Sequence, residues 1–88
     1  EKNQKKLLFH PSGIAAHPSQ KALYVIASDG NALMVLDEQG VPLLAKKLSA
    51  SQFEQPEGIC FSPNGTLLIS SEGKDSSATI QIFQQKDE

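Results

Sequence analysis

Arginine is missing from this chain: all eight basic residues are lysines, set against ten acids for a net charge of −2. Without a guanidinium fork there is no bidentate grip for phosphate or carboxylate. No basic stripe interleaved with aromatics stands in for it, so the composition excludes a nucleic-acid partner. Lys2, Lys5 and Lys6 come nearest to a basic cluster and read as a solvated terminus. Tryptophan is also absent, and the single cysteine, Cys60, has no second thiol to pair with. No Cys/His spacing of a metal site is present. No apolar run approaches the roughly 18 residues of a membrane span, so no membrane insertion by this segment is expected. The opening EKNQKK is not a signal peptide. Helical periodicity is missing too. The stretch LSASQFEQ, residues 48–55, is long enough for one short turn and no more.

What is present is a repeat. HPSGIAAHPSQ at residues 10–20 returns as QPEGICFSPNG at residues 55–65. Pro11, Gly13, Ile14 and Pro18 fall on Pro56, Gly58, Ile59 and Pro63, each 45 positions on. One deletion later, ALYVIAS aligns with TLLISSE, setting Leu23 over Leu67 and Val25 over Ile69. Leu33, Val35 and Leu36 then match Ile80, Ile82 and Phe83 at a spacing of 47. A period of about 45 residues lies in the range of a four-stranded propeller blade. With 88 residues and 39% apolar side chains, the chain is long enough for one small globular domain. A domain of that size buries only about 60–65% of the surface its unfolded chain exposes.

Local chemistry places the strands. Residues 13–16 and 58–61 are short and apolar, which suits innermost strands buried on both faces. Pro18-Ser19-Gln20 and Pro63-Asn64-Gly65 turn the chain after them, proline presetting φ and Asn-Gly tolerating the left-handed region. Strands follow at 22–27 and 66–71, then at 32–37 after the turn Asp29-Gly30-Asn31. Gln39-Gly40 leads into an outermost strand at 42–48, where a first-position proline is tolerated. The fold class expected is therefore all-β: two consecutive four-stranded antiparallel blades of a β-propeller, a fragment of a larger wheel of about six blades. Blade 1 would span about 11–48 and blade 2 about 56–83, the latter without its outer strand. Residues 5–9 would be the outer strand of a preceding blade or a closure strand. Two blades do not close a ring of four to eight, so the expected partners are the remaining blades of the same parent chain, or further copies joined by strand exchange.

HPSGIAAHPSQKALYVIASDGNALMVLDEQG followed by FEQPEGICFSPNGTLLISSEGKDSSATIQIF resembles the SdiA-regulated family of bacterial propellers, which is related to NHL-type propellers. The likeness runs from about residue 7 to 83, and PEGI, SPNGTLLISSEG and the closing ATIQIF are similar to the C-terminal end of that family. The resemblance implies two last blades of a bacterial cell-envelope or secreted protein. It brings no settled activity with it. A looser likeness in geometry, to gluconolactonase-like and phytase-like propellers, implies divalent-metal chemistry at a glutamate by the inner strand.

Two residues stand out as ligand-binding or metal-ligating candidates. Glu57 precedes an inner strand where the other repeat has Ser12, and Glu72 ends a second strand where the other repeat has Ser28. Two carboxylates near one rim are the hard oxygen donors that Ca²⁺ prefers, though only part of a full set. The plainer alternative is that Glu57 bonds turn amides and Glu72 is solvated. His10 and His17, each before a proline, read as loop residues, and Cys60 reads as core packing. Asn64-Gly65-Thr66 matches a glycosylation sequon but reads as a turn, and residues 75–78 read as a loop. No nucleophile has a base beside it, so no catalytic residue is assigned. The reading is a non-catalytic binding or scaffold module. A calcium-dependent hydrolase of lactonase or phytase type at the channel rim is the alternative.

Overall fold

A computed structural model describes residues 10–73 and 77–84. The outer strand expected at 5–9 and part of the loop expected at 75–78 lie outside these residues. Seven strands run in chain order: β1 (Gly13–Ala16), β2 (Ala22–Ala27), β3 (Ala32–Asp37), β4 (Pro42–Lys47), β5 (Pro56–Phe61), β6 (Leu67–Ser71) and β7 (Thr79–Phe83). They form two antiparallel sheets, β1-β2-β3-β4 and β5-β6-β7, each a meander in which neighbours in sequence are neighbours in space. Among the described residues there is no helix, and the second sheet has three strands. The fold is all-β, built as two successive propeller blades.

The turns explain the meander. After β2, the amide of Asn31 donates to the Ser28 carbonyl, with Gly30 at φ +87° and Asn31 at +48°. After β3, the Asp37 carboxylate accepts the amides of Gln39 and Val41, both at 2.9 Å, while Gly40 takes φ +86°. An aspartate that binds the backbone two residues on is a local turn former, which is why the hairpin closes there. Between the blades, Phe53 donates its amide to the Ser49 carbonyl, the single turn that LSASQFEQ allows.

Strand register sorts the side chains into faces, since alternate residues point to opposite sides. In blade 1, Gly13, Ile26 and Leu33 share one cross-strand row and Ala15, Tyr24 and Val35 the next. This front face packs on the back face of blade 2, whose rows are Ile59, Ile69, Gln81 and Phe61, Leu67, Phe83. The core is the seam between them: Ile26, Leu33, Leu48, Phe53 and Ile69, with Tyr24, Ile59 and Leu67 packed against it. Ile26 and Ile69 are fully buried, each stabilising the seam by about 1.5–3 kcal/mol. At the end of the seam nearest the 17–20 turn, Phe61 meets Tyr24 edge-on at 4.9 Å and His17 at 4.8 Å.

Burial of the inner strands on both faces is not what the structure has. Ile14 is 60% exposed and Cys60 is exposed, because each points to the blade face turned away from the seam. Cys60 is therefore not core packing. It shares its row with Leu68 and Ile82 on a face that no described strand covers.

Candidate functional site

The ends of β2 and β6 and the starts of β1 and β5 lie at one edge of the blade pair, the edge that carries Ser12, Ser28, Glu57 and Glu72. At Pro56–Gly58 the register of β5 against β6 slips by one residue. Glu57 is the extra residue of this bulge, so it has no partner in the ladder and its side chain is exposed. Bulges re-aim a side chain in this way at sheet ends. Immediately before it, Gln55 adopts φ +55°, and its carbonyl accepts the amide of Glu72 at 3.0 Å. The Gly73 amide bonds the Glu54 carbonyl at 3.1 Å, pairing the two segments past the end of the strands.

This arrangement brings the two acids together. Glu57 and Glu72 line one depression of about 400 Å³, with Ser70, Ser71, Thr79 and Ile80 completing its wall. Ser71 is buried, and its hydroxyl has no hydrogen-bond partner among the described residues. Leaving a buried hydroxyl unpaired costs about 1–3 kcal/mol, so such a group is unusual in a folded chain. Glu57 does not bond turn amides; among the described residues its carboxylate has no hydrogen-bond partner, and Glu72 is exposed beside it.

The equivalent position in the first repeat is occupied differently. Ser12 accepts the Ser28 amide at 3.1 Å and donates its hydroxyl proton to the Pro56 carbonyl at 2.8 Å, crossing from one blade to the other. Sequence reasoning identified Ser12 only as the counterpart of Glu57. Its bonding was out of reach, because nothing in a one-residue serine signal says which carbonyl lies opposite.

A second, more polar depression of about 460 Å³ lies at the same edge, lined by Ser28, Asp29, Asn31, Ala50, Glu54 and Gln55. Asn31 donates from its side-chain amide to the Phe53 carbonyl there. Asp29 pairs with His10 at 2.8 Å, with both side chains more than 70% exposed. Such a surface pair contributes at most about 1 kcal/mol. His17, by contrast, is buried, and is not the simple loop residue that its place before proline suggests. Its Nδ1 accepts the amides of Ser19 and Gln20 at 3.1 and 3.0 Å, which leaves the ring proton on Nε2. Ser62 does the same work in the second repeat, taking the Thr66 amide at 3.2 Å, while Asn64 holds the turn from inside. The Asn64-Gly65-Thr66 stretch is thus a turn.

Among the described residues, no group of three or more His, Cys, Asp or Glu side chains converges as metal ligands. Ca²⁺ takes roughly six to eight oxygens, and two carboxylates with neighbouring serines provide part of such a set. The described residues alone do not fit a complete calcium site.

No curated protein matches this chain at a significant level. The family model described as SdiA-regulated matches residues 2–85, nearly the whole length over which the repeat and the paired blades extend, and the chain belongs to the SdiA-regulated family.

Proposed function

We propose that this chain is a non-catalytic binding module, a blade pair that presents a ligand site at one rim. The observation that carries the reading is the depression that Glu57 and Glu72 line together. In the other repeat the same position is spent on an internal latch through Ser12. In this one a bulge turns a carboxylate outward instead. Two carboxylates suit a cationic ligand, with Ca²⁺ the first probe and a short diamine the second. A ligand at a hundred times its Kd adds about 2.7 kcal/mol to folding stability. Thermal melts of the chain should therefore rise with one of the two probes and lose the rise in Glu57→Gln. Melts unmoved by either probe would remove the site.

A calcium-dependent hydrolase is the second reading, and the same carboxylate pair favours it. It needs further oxygens around the ion, so no reaction step is derived from these residues. Turnover of a simple lactone or phosphomonoester in the presence of Ca²⁺, lost in Glu57→Gln, would replace the binding reading with this one.

A further inference from the structure

Successive carbonyls at the entry to blade 2, those of residues 53–56, are each held by a donor. The Phe53 carbonyl accepts the side-chain amide of Asn31, and the Pro56 carbonyl accepts the Ser12 hydroxyl at 2.8 Å. Between them, the Glu54 and Gln55 carbonyls accept the amides of Gly73 and Glu72 at 3.1 and 3.0 Å. The donors divide by blade. Blade 1 grips the two ends of the segment with side chains, and blade 2 grips its middle with backbone. Phe53 packs in the seam core and Pro56 is fully buried, so packing holds both rings while the hydrogen bonds set where the carbonyls point.

Inside this grip the backbone is strained. Gln55 takes φ +55°, the left-handed region that a residue with a Cβ avoids, and it does so before a proline, where extended backbone is preferred. Such a conformation persists where its surroundings over-determine it. The same conformation spaces the rim acids. Glu72 hangs its amide on the Gln55 carbonyl, and Glu57, two residues after Gln55, is the unpaired residue of the bulge. Turning the Gln55 carbonyl would shift Glu72 against Glu57 and disturb the depression that the two line.

We infer, resting on the rim site proposed for Glu57 and Glu72, that Asn31 of blade 1 is a positioning residue for that pair, acting through residues 53–56. Asn31 does not line their depression. Its side chain is required twice over. At φ +48° it occupies a region that asparagine tolerates, and it supplies the N–H donor that the Phe53 carbonyl takes. Its backbone is fixed by the Ser28 carbonyl and the Leu48 amide, at 3.3 and 2.7 Å, which keeps the side chain in line. Ser12 grips the other end but also accepts the Ser28 amide, so Asn31 is the cleaner probe of the segment.

Asn31→Gly keeps the left-handed turn and removes the donor. Hydrogen exchange in the full chain should speed about three- to tenfold at the Glu72 and Gly73 amides, as the loss of one hydrogen bond predicts. The amides of Leu67–Ser71 in the same blade should keep the parent rate. Whichever of Ca²⁺ and the diamine binds the parent should bind the variant more weakly by a similar factor, since Gln55 leaves its strained conformation once released. Adding Gln55→Gly should bring both readouts back toward the parent, because glycine takes φ +55° freely. A general loss of stability would not be repaired at that position. Unchanged exchange at Glu72 and Gly73, or an equal rise throughout Leu67–Ser71, would overturn the inference. So would faster exchange with an unaltered Kd, or a double variant that recovers neither readout. If neither probe binds the parent, the rim site falls by itself, and the exchange rates still decide whether Asn31 holds the backbone of Glu72.

Discussion

The hydroxyl of Ser12 and the carbonyl of Pro56, 2.8 Å apart, tie the inner strand of one blade to the inner strand of the next. The two residues are 44 positions apart in the chain, and the bond lies at the rim where the seam would otherwise open. Ser12 also accepts the Ser28 amide, so its removal strands a donor and an acceptor together. Ser12→Ala should cost about 1–2 kcal/mol, measured as a lower urea midpoint with an unchanged slope. A midpoint within error of the parent would mean that water replaces the latch at no cost.

Gly13 and Gly40 are required for different reasons, and alanine separates them. A Cβ at Gly13 would lie 3.1 Å from the Glu57 carbonyl oxygen and 3.2 Å from the Ile59 methyl, so the facing strand of blade 2 would have to give by a few tenths of an ångström. At Gly40 nothing lies within 4 Å, and only φ of +86° resists a side chain. Gly13→Ala should cost about 1–3 kcal/mol through overpacking. It should also perturb the Tyr24 signal in near-ultraviolet spectra, because Tyr24 sits in the same seam. Gly40→Ala should cost about 1 kcal/mol and leave that signal intact.

One carboxylate reinforces the hairpin between β3 and β4. Asp37 accepts two amides at 2.9 Å each, and β4 is exposed along its whole length, so little other packing holds it. Asp37→Ala should destabilise the chain by about 1 kcal/mol. The loss should be local: hydrogen exchange should rise in Pro42–Lys47 and stay unchanged in Leu67–Ser71. A uniform rise across both sheets would show that β4 is integral to the global unfolding unit instead.

The architecture was readable because a repeat states each strand twice. Proline, glycine and an isoleucine at fixed spacing located β1 and β5, and turn residues bounded the rest to within two residues. What the repeat could not convey is which face of each strand meets which neighbour. Cys60 looks like core by composition, yet one step of strand parity places it opposite Ile59, which packs on the seam. His17 looks like a loop residue beside its proline, but the turn folds its ring onto Phe61, a contact between repeats. The pair Glu57 and Glu72 was found because carboxylates break the repeat where it has serines. The bulge that turns Glu57 outward left no such mark, since a slipped register is decided by pairing with β6 and not by local composition.

Cys60 supplies the last test, because its thiol reports on which face of β5 meets the seam. If the strand parity is right, the thiol of dilute native chain reacts with Ellman's reagent without denaturant, at a rate within a few-fold of a free peptide thiol. A core cysteine would instead react only through unfolding, and its rate would fall in step with added stabiliser. The same thiol lies on the front of blade 2, beside Leu68 and Ile82. A fast rate in the unmodified chain keeps the parity assignment. A rate that is slow even at high dilution would contradict the placement of Cys60 itself.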